Sequence, residues 1–434
     1  MTNTLTKSEF NQIAAHIEKA ANKSAADLDP AIKHLFTSGI HRFLTENIHF
    51  SDGRLYVITG DIPAMWHRDS TFQMLPLLHL VKEVPEVTKL AAALLETQMY
   101  CIQLDPYANS FSEKPNQSIW GTDHSNITVN ASVWERKYEL NSLTTPIHLA
   151  YALAQLPGQT AQKLPKSFWQ TVPSILTVMK TEQRHESSPY RFERPNGPAS
   201  DTLPNAGKGT PVGYTGMIWS GFRPSDDACQ YGYLIPDNLY AAHVLDELGE
   251  LIKAANQPQT LADEAAKLAA DIRGGVERFG HATHNGETIL AYEVDGLGHQ
   301  LLMDDANLPS LLSLPYLDTL PATDPLYQAT RRFALSTANP YYYTGSALAG
   351  VGSPHTPEGY VWPLSVIVEA ATSTDPAAIQ KALDTLVATD AGTGHIHESI
   401  DANDPKNFTR ESFSWADMTF CNLVLLGLEK AKTN

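Results

Sequence analysis

The sequence has few cysteines, no long apolar run and no start that resembles a leader. Its three cysteines, Cys101, Cys229 and Cys421, lie too far apart in a chain of 434 residues to indicate a disulfide framework. No run reaches the roughly 18 apolar residues that span a bilayer. The first ten residues lack the charged and apolar segments of a signal peptide. We therefore predict a cytoplasmic protein that has no membrane partner.

Positive charge and metal-binding patterns are also scarce. The 31 Lys and Arg residues are outnumbered by 48 Asp and Glu residues, which gives a net charge of −17. Such a surface repels nucleic-acid phosphates, so we expect no nucleic-acid partner. The 16 histidines show neither an HExxH run nor a zinc-like spacing with cysteine. His395 and His397 do not share a helix face and have no evident third ligand. The sequence predicts no metal and no cofactor, and it leaves the oligomeric state open.

Apolar residues recur at helical spacing in several segments. Residues 261–279 step by three and four, as in an amphipathic helix. Residues 239–252 predict a second helix, with Asp237 placed to cap its start. Residues 420–428 are apolar nearly all round, which is typical of a buried helix, and a segment that begins at Pro363 has the same character.

Long polar segments rich in Gly, Pro, Asn and aromatic residues separate these helices. Disordered segments are poor in aromatic residues, so we interpret these as ordered loops that build a site. Short strand-like stretches such as residues 54–59 are predicted to be hairpins within loops. The main polar segments are residues 104–137, 186–236, 285–307, 339–362 and 391–412.

The alternation of amphipathic and buried helices predicts concentric helix layers. We expect an all-α fold, an (α/α)6 barrel whose long loops form a pocket at one end. Twelve helices in 434 residues allow about 36 residues for each helix and its loop. Residues 1–434 would then form a single domain. An α-solenoid is the main rival, and the absence of a short repeat of fixed period counts against it.

Two segments combine charged and aromatic residues in a way that simple amphipathy does not explain. In residues 59–71, Arg68 and Asp69 follow Trp66, a mixture that suits the apolar face and polar rim of a sugar; a helix start with a structural ion pair is the alternative. In residues 134–142, Glu139 is a candidate for binding a hydroxyl group. Glu135, four residues earlier on the same predicted helix face, is expected to form a solvated pair with Arg136.

Candidate acid and base residues occur in three further loops. Asp226 and Asp227 follow Arg223 at the predicted mouth of a helix, where apolar neighbours and a second carboxylate raise the pKa of a general acid. Helix capping is the alternative for this pair. His355 lies between two X-Pro corners, and Glu398 precedes the last buried helix as a candidate second carboxylate. A structural turn and a solvated loop glutamate are the respective alternatives.

Together these motifs resemble glycoside hydrolase family 125. The resemblance covers nearly the whole chain in the same order, and it implies an (α/α)6 fold. It also implies an exo-acting α-1,6-mannosidase that inverts the anomeric configuration without a metal, on mannose-containing oligosaccharides such as N-glycan fragments. The motifs that carry it are residues 59–71, 216–236, 303–310, 352–362 and 390–399.

Roles follow from this resemblance motif by motif. Asp226 would be the general acid and Glu398 the general base. His67 stands where a leucine is expected, which puts local packing in doubt. The residues expected to bind substrate are Trp66, Arg68, Asp69, Glu139, Arg223, Asp227 and His355.

Two other functions stay open at this point. A glycoside phosphorylase on the same fold would use phosphate in place of water and would need a cluster of cationic side chains. A non-catalytic sugar-binding protein would keep the aromatic residues and lose the carboxyl pair. The presence of both Asp226 and Glu398 favours the hydrolase, because an inverting enzyme needs two carboxyl groups about 6.5–9.5 Å apart.

Overall fold

The structure, a computed structural model, describes residues 5–433 and is predominantly helical. Within that range thirteen α-helices are found, of which the seventh is a single turn. They are α1 Lys7–Ser24, α2 Pro30–Arg42, α3 His67–Leu78, α4 Val87–Leu104, α5 Asn141–Gln155, α6 Lys166–Glu182, α7 Pro204–Gly207, α8 Ile235–Ala254, α9 Gln259–Phe279, α10 Pro325–Ala334, α11 Pro363–Ala371, α12 Ala378–Ala388 and α13 Ser414–Thr433.

The strands are short and lie in the long connections between the helices. They form small antiparallel sheets, among them β3–β4–β6, β8–β11–β12 and β15–β16–β17. The strands are β1 Ile48–Ser51, β2 Arg54–Val57, β3 Met65–Trp66, β4 Ser110–Phe111, β5 His124–Ser125, β6 Val133–Glu135, β7 Phe192–Glu193, β8 Tyr233–Leu234, β9 His281–His284, β10 Glu287–Leu290, β11 Glu293–Val294, β12 Gln300–Leu301, β13 Tyr342–Thr344, β14 Ala349–Val351, β15 Tyr360–Val361, β16 Ser399–Asp401 and β17 Phe408–Thr409.

Five helices pack side by side in the order α8, α5, α3, α13 and α11. They are strongly buried, and in α3 every residue except Leu75 is buried. Other helices cover them from outside: α9 packs on α8, α4 on α5, α2 on α13 and α12 on α11. The prediction of an all-α fold is confirmed. No helix within residues 5–433 is long and apolar enough to cross a membrane.

Most of the helix predictions are confirmed. Residues 239–252, 261–279 and 420–428 lie in α8, α9 and α13, and Pro363 is the first residue of α11. Residues 54–57 form a hairpin with β1.

Two local predictions were wrong. Asp237 does not cap α8, because the helix begins at Ile235 and Asp237 accepts a hydrogen bond from Asn141 instead. The segment that carries Glu135 and Glu139 is not a helix: Glu135 ends β6, and residues without regular secondary structure follow up to α5.

Candidate active site

Four helices begin at the same place, and their first turns contact one another. Arg68 in α3 donates a hydrogen bond to Asn141 Oδ1 in α5 (3.1 Å), and Asn141 donates to Asp237 Oδ2 in α8 (3.0 Å). The guanidinium of Arg68 also lies 5.2 Å from the ring of Trp415 in α13. Helix N-termini favour negative charge, so the convergence suits a site rich in carboxylates.

Arg68 is bound on two sides by acidic groups. Its Nη1 donates to Glu139 Oε2, and its Nη2 lies 3.1 Å from Asp69 Oδ2. All three side chains are at most 5% exposed. Burial raises the pKa of Asp69 against the opposing effect of Arg68. A buried charge needs such partners, because removing an unpaired ion from water is unfavourable by roughly several kcal/mol.

Asp226 lies in a tight turn rather than at a helix start, so the prediction of a helix mouth was wrong. The amide of Arg223 donates to the carbonyl of Asp227 (2.8 Å), and the amide of Asp226 donates to the carbonyl of Arg223 (2.9 Å). Asp226 has φ of 68°, a left-handed conformation that aspartate tolerates better than most residues. Lys137 fixes the turn by donating to the carbonyl of Asp226 (2.8 Å). The carboxyl groups of Asp226 and Asp227 consequently have different partners.

The carboxyl group of Asp226 is held through one of its oxygens. Trp66 Nε1 donates to Oδ1 (3.2 Å), and so does Asn109 Nδ2 (3.1 Å). The sheet β3–β4–β6 brings these donors together, because Trp66 pairs with Ser110, the neighbour of Asn109. The Asp226 side chain remains 25% exposed, so it is accessible from solvent.

Asp226 and Glu139 form a carboxyl pair. Asn109 Nδ2, which donates to Asp226, also donates to Glu139 Oε1 (2.7 Å). Burial raises the pKa of Glu139 well above its ordinary value. Burial acts in the same direction on Asp226, but the hydrogen bond from Glu139 and the charges of Arg68, Lys137 and His355 together lower the pKa of Asp226 to about 2. The two carboxyl groups therefore titrate as a pair, with the pKa of Glu139 raised and that of Asp226 lowered, which is opposite to the raised pKa expected for Asp226.

Asp227 and His355 form a second pair. His355 Nδ1 and Asp227 Oδ1 are 3.0 Å apart. Burial disfavours the imidazolium, but this hydrogen bond and the charges of Asp227, Glu398 and Asp226 raise the pKa of His355 to about 9. His355 is therefore charged at neutral pH. The charges of both Asp226 and Glu398 act on the imidazole of His355, which therefore lies near both proposed catalytic carboxyl groups.

Glu398 is brought to the site by a small sheet. It directly precedes β16, which pairs with β15, the strand that follows the loop of His355. Its side chain is 9% exposed, and Oε1 lies 3.6 Å from Arg410 Nη1. Arg410 is itself anchored by Asp61 (2.8 Å) and by the carbonyl of Thr59 (2.8 Å). Glu398 is thus a buried carboxylate, not the solvated loop residue of the alternative interpretation.

Arg223 lies on the turn of Asp226, but its guanidinium is bound elsewhere. Its Nε donates to Glu293 Oε1 (2.6 Å), a glutamate that is fully buried in β11. This ion pair connects the turn to the sheet β8–β11–β12. The position of Arg223 at the site is as expected, whereas its contact with substrate stays a prediction.

The structure corrects the prediction for Glu135 and Arg136, which are buried and do not form a solvated pair. Glu135 Oε1 lies 2.8 Å from Arg194 and 3.4 Å from Lys137, while Arg136 donates to Asp105 (2.6 Å). Lys137 and Asn109 were not among the predicted site residues, and no motif indicates Asn109. A lysine between two glutamates, in an aromatic-rich loop, was the one signal available for Lys137.

His395 and His397 have separate protein partners. His395 Nδ1 lies 3.2 Å from Asp417 Oδ2, and His397 is stacked on Phe408 with ring centroids 3.6 Å apart. Within residues 5–433, no group of three or more His, Cys, Asp or Glu side chains is arranged to hold a metal ion.

Comparison with known proteins gives one matching family. The sequence profile of metal-independent alpha-mannosidases, glycoside hydrolase family 125, matches residues 29–425. A relative from Schizosaccharomyces pombe, the meiotically up-regulated gene 157 protein, is 38% identical over 396 residues, which cover 86% of this chain and 77% of that protein.

Solved structures are similar at two levels. A metal-independent alpha-mannosidase from Streptococcus pneumoniae, in a non-productive complex with alpha-1,6-mannobiose, is 42% identical with a TM-score of 0.92 and covers 96% of this chain and 98% of its own. A structure described as a wild-type glycosidase is 12% identical with a TM-score of 0.52, over 98% of this chain and 99% of its own. The second likeness concerns the fold alone.

Proposed function

The chain belongs to the metal-independent alpha-mannosidases of glycoside hydrolase family 125, and on that premise we propose that it releases terminal mannose from α-1,6-linked mannosides with inversion of configuration. The linkage is supported by the Streptococcus pneumoniae relative, whose complex holds alpha-1,6-mannobiose. The observation that carries the mechanism is that two loops far apart in sequence meet at His355. Its Nδ1 lies 3.0 Å from Asp227, the neighbour of Asp226, and Glu398 directly precedes β16, which pairs with the strand that follows the His355 loop.

Asp226 acts as the general acid. Trp66 and Asn109 both bind Oδ1, which orients Oδ2 toward the glycosidic oxygen. A bound mannoside covers the exposed part of this carboxyl group and removes water from its ionised form. Such desolvation raises the pKa of a carboxylate, so the proton that Glu139 holds in the free enzyme moves to Asp226. Asp226 then passes it to the leaving sugar as the C1–O bond breaks.

Glu398 acts as the general base on the opposite face of the sugar. Its carboxylate takes a proton from a water molecule as the water oxygen attacks C1, in one displacement. The weak contact with Arg410 at 3.6 Å leaves lone pairs of Glu398 available for that water. The charged His355 lies nearby.

The terminal mannose is bound by the remaining polar groups. Asp69 Oδ2 and Asp227 Oδ2 are buried and accept no hydrogen bond within the described part of the chain, and Asp69 Oδ2 has only its ion pair with Arg68 at 3.1 Å. Sugar hydroxyl groups are donors of the required kind, because a buried carboxylate oxygen is unfavourable unless it is hydrogen bonded. Arg68 and His355 hold these two carboxylates in place.

We also propose that the helices close into a single-domain (α/α)6 barrel whose loops form a pocket over the site. The series α8, α5, α3, α13 and α11, of which all but α3 are each covered by a further helix, supports that arrangement. A pocket closed at one end suits exo-acting cleavage of a terminal sugar. A cytoplasmic location is proposed as well, since all three cysteines are buried free thiols, and cell fractionation tests it.

Proton NMR during the first minutes of hydrolysis of α-1,6-mannobiose tests the reaction. A single displacement at an α-mannoside must give β-mannose before mutarotation. Early α-mannose would contradict the role of Glu398 as base. Addition of phosphate distinguishes the phosphorylase alternative, which would give mannose 1-phosphate. Parallel assays with α-1,2- and α-1,3-mannobiose test the linkage.

A further inference from the structure

A small apolar cluster lies outside the main core, next to the proposed acid. Its buried members are Ala64, Trp66 and Trp134, and the half-buried Ile62 and Trp120 pack against them. Trp66 connects the cluster to the chemistry, because its Nε1 binds Asp226 Oδ1 at 3.2 Å. The cluster is therefore continuous with the acid side of the site.

The acid side of a glycosidase is the side from which the leaving group departs. Asp226 protonates the oxygen that stays with the leaving sugar. On the Trp66 side of Asp226, groups that adjoin the acid are therefore nearest to the leaving part of the substrate, whereas Asp69 and Asp227 bind the mannose that is cleaved off. Trp66 binds Asp226 and belongs to the same apolar cluster as Trp120, so the cluster extends the leaving-group side of the site away from the acid.

Trp120 is held in a fixed orientation by its neighbours. The guanidinium of Arg194 lies 3.7 Å from its ring centroid. Arg194 is itself bound by both oxygens of Asp123 (2.9 and 2.7 Å) and by Glu135 (2.8 Å). The amide of Trp120 donates to Ser118 Oγ (3.2 Å). An indole that is ordered before binding loses little conformational freedom when a ligand stacks on it.

The loop around Trp120 exposes apolar side chains. Ile119 is 70% exposed and Ile127 is 48% exposed. Exposed apolar groups in an ordered loop beside a binding site are typical of a ligand contact. The C–H face of a neutral sugar complements such a surface, whereas a charged ligand does not.

We propose that Trp120, together with Ile119, binds the second leaving-group sugar of an α-1,6-mannoside, so that the enzyme prefers substrates of three or more mannose residues over mannobiose. This inference rests on the proposed function. Mannobiose ends before it reaches Trp120, so the contact contributes to the cleavage of longer substrates alone.

Kinetics on α-1,6-mannobiose and α-1,6-mannotriose test the inference with Trp120→Ala and Ile119→Ser. We expect Trp120→Ala to lower kcat/KM on mannotriose about 3–10-fold, the range of one aromatic stacking contact, and to change it less than about twofold on mannobiose. Ile119→Ser should lower the mannotriose value less, and Trp120→Phe should restore most of it. Leu297→Ser, which changes a 59% exposed leucine in a different loop, is the matched control and should affect neither substrate.

Equal losses on both substrates in Trp120→Ala would overturn the inference, because Trp120 would then serve to position Trp66. Unchanged values on both substrates would overturn it as well. Ile119→Ser changes an exposed side chain and leaves the fold intact, so it tests the inference even if Trp120→Ala does not fold. A wild-type protein that cleaves neither substrate would instead refute the proposed function, and this inference with it.

Discussion

Glu139→Gln tests the shared proton of the carboxyl pair. Glutamine has the shape of glutamate and can still donate to Asp226 and accept from Arg68, but it cannot supply a proton. In the proposed mechanism the proton lies on buried Glu139, whose pKa is raised by burial, one hydrogen bond away from Asp226. In the variant, Asp226 has to take its proton from solvent.

The size of the effect follows from the surroundings of Asp226. Burial opposes its ionisation, but a donor at position 139 and the charges of Arg68, Lys137 and His355 lower the pKa of Asp226 to about 2. At pH 6 a carboxyl group with that pKa is protonated in roughly one molecule in 10⁴. We therefore expect kcat to fall ~10²–10⁴-fold, the range typical of a lost general acid. We also expect kcat/KM, which reports the ionisation of the free enzyme, to rise as the pH falls below 6.

The assay is the pH profile of kcat and kcat/KM on α-1,6-mannobiose for the native protein and the variant. Glu182→Gln is the matched control: Glu182 is also fully buried and hydrogen bonded, to Tyr107 (2.8 Å), but it belongs to a different network. Thermal unfolding verifies that both variants fold. A Glu139→Gln protein with near-native kcat would show that Asp226 obtains its proton elsewhere. A large loss without the predicted pH dependence would show that Glu139 only positions Arg68.

Three further outcomes are expected. Asp226→Asn and Glu398→Gln should each lower kcat on mannobiose ~10²–10⁴-fold with unchanged thermal unfolding, and near-native turnover in either would remove its assigned role. Asp227→Asn should lower the pKa of His355 from about 9 toward its ordinary value, since the hydrogen bond at 3.0 Å then ends on a neutral amide, as NMR titration of His355 will show. EDTA should leave the rate unchanged, because no set of metal ligands is found in residues 5–433, and a loss that zinc or calcium reverses would contradict this.

Helix positions could be predicted because periodicity reports burial directly. The amphipathic pattern of residues 261–279 and the nearly continuous apolar pattern of residues 420–428 both led to helices that the structure contains. The helix prediction for residues 134–139 failed because their polar side chains are buried by partners that lie far away in sequence. Arg194, the partner of Glu135, is 59 positions along the chain, and no local pattern predicts that contact.

The candidate site could be predicted as a set of residues but not as an electrostatic arrangement. Local sequence placed Asp226 and Asp227 side by side, and capping rules suggested a helix start for both. The structure instead gives Asp226 a left-handed conformation, which separates the two carboxyl groups and directs Asp227 to His355. Asn109, which no motif indicated, then joins Asp226 to Glu139. In the proposed mechanism, the proton needed for catalysis therefore depends on the pairing of Glu139 with Asp226, which are 87 positions apart in the chain. The packing of loops on helix N-termini determines that pairing.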